Sequence, residues 1–343
     1  MLPVVASPTR TINGGFFSYI KRRARRILPP YYAALVLTLL CIAFFPGMNR
    51  ASGAFWRKAL PAFSARNLVS HVLMMHWVSP DTIYKINPPW WTLGVESVLY
   101  VMFPLLLLPL WRKWGTRALL AIAIPIGFLP HVLLGKTSWH FDWVSPWFIG
   151  LFAIGMAGAV AHASTQLSDV ALRFKKLLIG PFGIVILAIG FATLWRSRVA
   201  MDYLFGLTAM WTILYCGQAT EHRSIGQQFL LRMLESAPLR NIGAFSYSIY
   251  LIHGVVLMLL YRTIEPMHIS EGWRAVIMFA IAPLIAVLMA LMFYRTVERP
   301  LLPVSNRKKS IYAGKRLVSD QRSATNVLET VSSPRALNVP IIK

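Results

Sequence analysis

Long apolar stretches recur along almost the whole chain, and they limit its possible folds more than any other feature. Of its 343 residues, 56% are hydrophobic and only 14% are charged, whereas soluble domains carry about 25% charged residues. A membrane-spanning helix needs about 20 mostly apolar residues. The stretches that meet this length are 28–46, 92–111, 118–135, 144–163, 177–195, 203–219, 243–261 and 275–297. Because they lack the strict alternation of barrel strands, we predict an all-α, polytopic transmembrane helical bundle with about eight spans.

The distribution of positive charge predicts the orientation of this bundle. The net charge is +23, but the Lys and Arg residues occur in short clusters between apolar stretches. This pattern favours contact with anionic lipids and argues against nucleic acid binding. Of the 35 Lys and Arg residues, 25 fall on the side of the bundle that carries both termini. The positive-inside rule therefore predicts that both termini are cytoplasmic.

Three parts of the chain differ in composition. Residues 1–27 form a basic segment that we predict to be cytoplasmic, 28–300 a transmembrane domain, and 301–343 a basic tail. The tail is polar and poor in aromatic residues, so we expect it to be disordered. The longest connection, 47–91, contains an apolar stretch at 68–78 that is too short to span, which predicts an interfacial or re-entrant segment.

A run of five cations lies directly before the first span, within residues 21–26. On a helix, Arg23 and Arg26 are three residues apart and share a face. Two guanidinium groups on one face suit a phosphate-rich ligand, because arginine binds phosphate through two parallel hydrogen bonds. The same cluster is typical of a signal that fixes membrane orientation and contacts lipid headgroups, and the spacing by itself leaves both interpretations open.

Glu96 is a carboxylate within an apolar stretch, shortly after Trp90 and Trp91. An ionisable group in such a position is costly unless it is paired or hydrated, so it is a candidate for function. We predict that Glu96 takes part in catalysis and that Trp91 lines the site. An ion pair between Glu96 and an arginine is the structural alternative, and an interfacial aromatic belt explains the tryptophans equally well.

Polar residues recur at the start of the seventh predicted span. Ser246, Tyr250 and His253 are four and three residues apart, so a helix aligns a hydroxyl, a phenol and an imidazole along one stripe. Such a stripe can line a polar cavity and transfer protons. We predict that Ser246, Tyr247 and Tyr250 line the site and that His253 is catalytic. Hydrogen bonding between helices explains the same pattern.

Other chemical motifs are absent from the sequence. The histidines show no metal-binding spacing such as HExxH, and there is neither a GxSxG elbow nor a glycine-rich phosphate loop. We therefore predict no metal and no permanently bound cofactor. Cys41 and Cys216 both fall within predicted spans, so a disulfide framework is not expected.

Four short segments stand out by their order and spacing. They are residues 23–32 (RARRILPPYY), 89–96 (PWWTLGVE) leading to Tyr100 and Pro104, 245–253 (FSYSIYLIH) and 298–300 (ERP). Together they resemble the bacterial acyltransferase 3 family of membrane O-acyltransferases over about nine-tenths of the chain.

The resemblance implies a reaction and a location. The reaction is transfer of an acetyl or other short acyl group to a sugar hydroxyl of a lipopolysaccharide, exopolysaccharide, peptidoglycan or glycolipid precursor. The donor substrate is expected to be acetyl-CoA or another acyl-CoA, with Arg23 and Arg26 engaging its phosphates and Glu96 matching the acidic residue of the Trp-rich motif. Residues 28–300 would form the acyltransferase domain in the bacterial inner (cytoplasmic) membrane. The expected partners are acyl-CoA, an envelope carbohydrate or glycolipid acceptor, and anionic membrane lipids.

One departure from the family pattern concerns the N-terminus. Family members usually begin with two further spans, the first of which carries a histidine that looks like the catalytic base, and neither span precedes Gly15. We hypothesise that the chain is an N-terminally truncated form that is inactive alone, with His253 a poor substitute as base. The alternative functions are a transporter or flippase of anionic envelope precursors, with the arginines and Glu96 along its path, and a non-catalytic partner that binds anionic lipids.

Overall fold

The computed structural model describes residues 2–5, 7, 10–50, 56–135, 137, 142–163, 190, 197–216, 225–267 and 269–301. Within these ranges the regular structure is helical, without a strand. Six helical segments there are long and apolar enough to cross a membrane: Gly15–Phe44, Pro88–Leu134, Asp142–Ala163, Arg198–Cys216, Ser246–Met267 and Glu271–Leu301. The predicted all-α, polytopic membrane architecture is confirmed.

The helices are numbered here in chain order. They are α1 (Leu2–Val5), α2 (Gly15–Phe44), α3 (Ala65–Val72), α4 (Trp91–Met102), α5 (Leu108–Leu134), α6 (Phe148–Ala163), α7 (Arg198–Cys216), α8 (Ile225–Leu234), α9 (Ala237–Ala244), α10 (Ser246–Ile264), α11 (Glu271–Val276), α12 (Ala282–Phe293) and α13 (Arg299–Leu301). Short 3-10 turns at Trp56–Lys58, His76–Val78, Pro88–Trp90, Asp142–Val144 and Glu265–Met267 join some of them.

Two predicted spans, at 92–111 and 118–135, fall on the single helical segment Pro88–Leu134, which ends one residue before the second of them. Its helix α5 is broken at Gly115, whose backbone has φ 78° and ψ −176°. Glycine adopts such a backbone without a steric penalty, and residues from both sides of the break pack in one buried cluster with α6. The predicted span at 177–195 lies outside the described residues. These two differences explain why the described part of the chain contains six candidate spans.

Three π-helical turns widen the long helices, at Phe103–Leu107, Ile277–Ile281 and Tyr294–Glu298. Each has a proline within it or two residues after it, namely Pro104, Pro283 and Pro300. Proline has no backbone N–H and its ring crowds the carbonyl four residues earlier. A wider turn relieves this crowding and allows the helix to continue.

The first long helix begins earlier than the sequence predicts. Because α2 starts at Gly15, the basic cluster at 21–26 belongs to the same helix as the span and not to a separate segment. The physical reason is an apolar contact that precedes the cations: Tyr19 is buried and its ring lies 5.7 Å from that of Phe103. The predicted disordered tail, except for Leu301, lies outside the described residues.

The connection between α2 and α4 folds back against both helices. The hydroxyl of Tyr31 donates to the carbonyl of His71 at 2.9 Å, and that of Tyr32 donates to the carbonyl of Val72 at 2.7 Å. These bonds hold the end of α3 against the middle of α2. Helix α3 has only eight residues, about 12 Å of length, which is too short to span a membrane. The interfacial or re-entrant placement of this segment stays a prediction, and residues 65–78 are called the re-entrant loop below.

Helix α10 holds the start of α4 in place. The carbonyl of Leu251 accepts hydrogen bonds from the Trp90 indole at 3.1 Å and from the Asn87 side-chain amide at 3.4 Å. The Trp90 ring in turn packs edge-on against Tyr31, with 5.3 Å between centroids. All of these groups are buried. The result is that α2 and α4 lie beside each other at a fixed separation, and the candidate site occupies the space between them.

Candidate active site

A pocket of about 170 Å³ lies between α2 and α4. Residues three or four apart share a helix face, so each helix contributes one stripe of side chains, and Met74 adds one more from the re-entrant loop. The lining residues are Ile20, Arg23, Ala24, Ile27 and Leu28 from α2, with Leu93, Glu96, Ser97, Tyr100 and Val101 from α4. The walls are mostly apolar, so the few polar groups among them stand out as candidates for chemistry.

Among the described residues that line this pocket, Arg23 is the cation. Its guanidinium carbon lies 4.9 Å from the ring centroid of Tyr100 and 5.5 Å from that of Tyr19. Cations are attracted to the negative face of an aromatic ring, so the two tyrosines hold the guanidinium at the pocket wall. Within the described residues Arg23 has no carboxylate partner within 4.0 Å.

Glu96 lies beside this cation. Its Oε1 atom accepts a hydrogen bond from the hydroxyl of Tyr100, one helical turn further along α4. The residue is exposed at the pocket wall and is not sealed in the interior. Among the described residues it has no ion pair with an arginine within 4.0 Å, so the structural alternative considered for Glu96 is not observed there. Arg23, Tyr100 and Glu96 thus form one connected group.

The second predicted donor-binding arginine lies outside this group. Arg26 is exposed and does not line the pocket. It lies near enough to Glu298 for its charge to act on that carboxylate. Glu298 is buried and accepts a hydrogen bond from the hydroxyl of Ser248. Arg26 therefore faces the junction of α2, α10 and the last helical segment, while Arg23 faces the pocket.

The predicted polar stripe on α10 is not among the residues that line the pocket, although Tyr247 and Tyr250 lie near enough to Glu96 for its charge to act on them. The Tyr247 hydroxyl donates to the carbonyl of Ile27 at 2.9 Å, and the Tyr250 hydroxyl lies 2.6 Å from the Thr92 hydroxyl. Both tyrosines therefore join α10 to neighbouring helices, as the hydrogen-bonding alternative predicts. Ser246 is exposed and lies apart from the pocket lining.

The described hydrogen bonds of His253 lie within its own helix. Its Nδ1 atom lies 3.0 Å from the carbonyl of Ile249 and 2.9 Å from that of Tyr250, both in its own helix. A carbonyl only accepts, so Nδ1 carries the proton in these bonds. The residue does not line the pocket. In this arrangement the imidazole satisfies backbone carbonyls of α10.

Trp91 also faces another part of the molecule. Its ring packs 5.9 Å from that of Phe148 on α6, and the guanidinium of Arg198 lies 5.1 Å above it. Trp91 and Glu96 are five residues apart, so they point to different sides of α4. The structure thus separates two residues that the sequence groups into one motif.

Tyr100 and Tyr19 are site residues to which the sequence reasoning gave no role. Tyr100 follows Glu96 by four residues, and residues at this spacing meet on a helix surface, so its contact could have been predicted. Tyr19 is different, because its contact with Arg23 depends on α2 beginning at Gly15.

Two stacked histidines support the pocket from the re-entrant loop. The rings of His71 and His76 are 4.5 Å apart, and both residues are fully buried. His71 Nδ1 donates to the carbonyl of Asn67 at 2.8 Å, and His76 Nε2 donates to that of Trp90 at 3.0 Å. Burial, with the neighbouring His76, lowers the pKa of His71 to about 3, and burial lowers the pKa of His76. Met74 lies between the two neutral histidines in the sequence and contributes to the pocket wall.

A second, mostly apolar groove of about 530 Å³ lies between α5, α6 and α7. Among the described residues that line it, Tyr203 alone carries a polar side-chain group, so the groove offers little for catalysis. In the described part of the chain, no three or more His, Cys, Asp or Glu side chains come together as metal ligands would.

Comparison with known proteins places the chain in a family. The sequence model of the acyltransferase 3 family, described as an acyltransferase domain, matches residues 4–295. The peptidoglycan O-acetyltransferase OatA of Listeria monocytogenes is 24% identical over 318 residues, which cover 82% of this chain and 45% of that protein. The chain therefore spans less than half the length of this relative. No solved structure matches the chain at a significant level. Because the family match covers most of the sequence, the chain belongs to the acyltransferase 3 family.

Proposed function

We propose that the chain is a membrane O-acyltransferase that moves an acetyl or other short acyl group from an acyl-CoA donor to a hydroxyl of an envelope carbohydrate, such as peptidoglycan or a glycolipid precursor. The observation that carries this proposal is the contact of Arg23, Tyr100 and Glu96 in one pocket. Family membership and the activity in the name of the relative OatA support the same class of reaction.

Arg23 is assigned to the phosphates of the donor. A guanidinium group binds phosphate through two parallel hydrogen bonds, and Arg23 is held at the pocket wall by two tyrosine rings. Arg26, one turn later and exposed, supplies a second positive charge on the same helix. The apolar side chains of α2 and α4 that complete the pocket receive the acyl group.

Glu96 is assigned as the proton acceptor, so this proposal predicts acyl transfer by the chain itself and competes with the hypothesis that the chain is inactive alone. The acceptor hydroxyl oxygen bonds to the thioester carbonyl carbon, the carbon–sulfur bond breaks, and the hydroxyl proton passes to Glu96 and then to the leaving thiolate. A positioned carboxylate can perform such a transfer. The hydrogen bond from Tyr100 fixes the orientation of the carboxylate, so that one of its oxygens remains to receive the proton.

This assignment also sets the orientation in the membrane. Coenzyme A thioesters are cytoplasmic, and Arg23 lies in the first third of α2, next to the cluster that the positive-inside rule places in the cytoplasm. We propose that the protein is a multi-pass protein of the bacterial cytoplasmic membrane with both termini inside the cell.

Binding of coenzyme A to the purified full chain tests the donor assignment. Arg23→Ala removes the pocket cation, and we expect it to weaken binding at least tenfold. The matched control is Arg25→Ala, because Arg25 is an exposed arginine of the same helix that does not line the pocket. We expect the control to bind within about twofold of the original protein, since exposed charges at a distance are screened by salt. An equal loss in both variants would indicate general attraction to the basic cluster and would contradict the assignment.

A further inference from the structure

A second polar cluster lies where α5 ends and where α6 and α7 begin. At its edge, His131 Nδ1 lies 2.9 Å from Asp142 Oδ2, and both side chains are about one-third exposed, at 35% and 30%. Arg198 and Asp202 approach from α7. None of these residues belongs to the pocket between α2 and α4.

Trp147 is the buried centre of this cluster. It is 1% exposed, and its indole N–H donates to Asp202 Oδ2 at 2.8 Å. The His131 ring packs against it with 5.6 Å between centroids. The Arg198 guanidinium lies 5.7 Å above the Trp147 ring and 5.1 Å above that of Trp91. These contacts fix the polar side chains around a buried ring, and such fixed side chains are typical of binding sites.

The hydrogen-bonding capacity of the cluster defines the ligand that fits it. Asp142 Oδ1 is buried and has no hydrogen-bond partner among the described residues. When His131 Nδ1 donates to Asp142, the other ring nitrogen, Nε2, is an acceptor in the neutral imidazole. Buried polar atoms are rarely left unpaired in proteins. The unpaired oxygen of Asp142, beside the partly exposed side chain of His131, therefore suits a ligand with O–H or N–H donors.

The charges of the cluster disfavour anionic ligands. Among the described residues of the cluster, Arg198 is the one Lys or Arg, and Asp142 and Asp202 contribute two carboxylates. A phosphate or carboxylate would be drawn to Arg198 but repelled by two negative charges. A neutral, hydroxyl-rich ligand meets no such conflict, and partly exposed aromatic rings such as that of Trp91 provide a surface for its apolar C–H faces.

We propose that His131, Asp142 and Arg198 form a binding site for a neutral saccharide, with the dyad of His131 and Asp142 accepting hydrogen bonds from its hydroxyl and N-acetyl amide groups. This inference rests on the proposed function, because it makes the saccharide the acyl acceptor. Helix α4 links the two sites, since Trp91 lies at this cluster and Glu96 lies about 7.5 Å further along the helix axis.

Binding of the neutral disaccharide N,N′-diacetylchitobiose to the purified full chain in lipid nanodiscs tests the proposal. We expect saturable binding that weakens at least tenfold in Asp142→Asn and in His131→Asn. The matched control is Asp81→Asn, which removes an exposed carboxylate paired with Arg66 at 3.3 Å and should leave the affinity unchanged. Absence of saturable binding, unchanged affinity in both site variants, or displacement of the sugar by inorganic phosphate would overturn the proposal.

Chemical modification of the unmodified chain tests the same proposal without depending on whether the variants fold. Diethyl pyrocarbonate modifies accessible imidazoles, and the disaccharide should slow modification of His131 at least fivefold while leaving the exposed His162 unaffected. Equal modification with and without sugar would overturn the proposal.

Coenzyme A binding is measured on the same samples. If the unmodified chain binds coenzyme A but not the disaccharide, this inference alone is refuted, whereas binding of the disaccharide without binding of coenzyme A refutes the donor pocket alone.

Discussion

The hydroxyl of Tyr100 donates a hydrogen bond to the carboxylate of Glu96, while the ring of Tyr100 lies beneath the guanidinium of Arg23. One side chain thus contacts both the proposed proton acceptor and the proposed phosphate-binding group. Two substitutions of Tyr100 separate these contributions, because one removes only the hydroxyl and the other removes the ring as well.

Tyr100→Phe should lower kcat by about 10- to 100-fold and leave the KM for the acyl donor nearly unchanged. A hydrogen bond to a charged group contributes about 1.5–3 kcal/mol, and about 1.4 kcal/mol corresponds to a factor of ten in rate. Tyr100→Leu should in addition raise the donor KM, because Arg23 loses one of its two rings. Acyl transfer by the full chain measures both constants. A donor KM that rises equally in both variants would show that the ring does not position Arg23.

Glu96→Gln should abolish most acyl transfer but preserve coenzyme A binding. The amide keeps the shape of the carboxylate and can still accept a bond from Tyr100, but it does not take up a proton. Loss of general base catalysis typically costs about 10²- to 10⁴-fold in rate. Glu271→Gln changes an exposed carboxylate at the start of α11 and should leave the rate unaffected. Substantial turnover in Glu96→Gln would remove Glu96 from the reaction.

The sequence predicted the helical class and most of the spans because apolar length is a direct physical requirement of the bilayer. It also predicts Arg23 and Glu96 as site residues, because a charged side chain next to or within an apolar stretch is costly and is therefore often functional. Periodicity alone could not show which face of each helix meets which neighbour. Periodicity places Tyr250 and His253 on one stripe of α10, for example, but does not show that Tyr250 bonds to α4 while His253 bonds to its own backbone.

The separation of Trp91 from Glu96 could not be predicted either, because periodicity does not show which neighbour each helix face meets. The two residues are close in sequence, but which side of α4 faces α2 depends on tertiary packing, including the carbonyl of Leu251 that anchors Trp90. The pairing of His131 with Asp142 was also beyond sequence reasoning, because it depends on how the chain returns from α5 to α6.

Gly94→Ala should destabilise the chain by about 1–3 kcal/mol, the usual cost of overpacking. A Cβ atom at Gly94 would lie 2.9 Å from Trp77 Cβ and 3.2 Å from His76 Nε2, so the re-entrant loop would have to move. The matched control is Gly155→Ala in α6, where a Cβ would meet nothing within 4 Å and where alanine favours the helix. Thermal unfolding in detergent measures the difference. Equal melting temperatures for Gly94→Ala and the original protein would contradict the close packing of loop and helix.

The buried pair of His71 and His76 should make the stability of the chain depend on pH. Burial, with the neighbouring His76, lowers the pKa of His71 from 6.5 to about 3, and burial lowers that of His76 as well. The unfolded chain therefore binds protons below about pH 6.5 that the folded chain does not, and stability falls as the pH falls from 6.5 towards 3. One histidine contributes at most about 1.4 kcal/mol per pH unit in this range.

The double variant His71→Gln, His76→Gln separates this effect from the titration of carboxylates. It should be less stable at pH 7, because it loses the stacked rings, but its melting temperature should decline less steeply between pH 7 and pH 4.5 than that of the original protein. His162→Gln is the control, since His162 is exposed and should leave the slope unchanged. Parallel slopes in the double variant and the original protein would mean that the pair takes up protons in the folded state, and so that the re-entrant loop is open to water at this point.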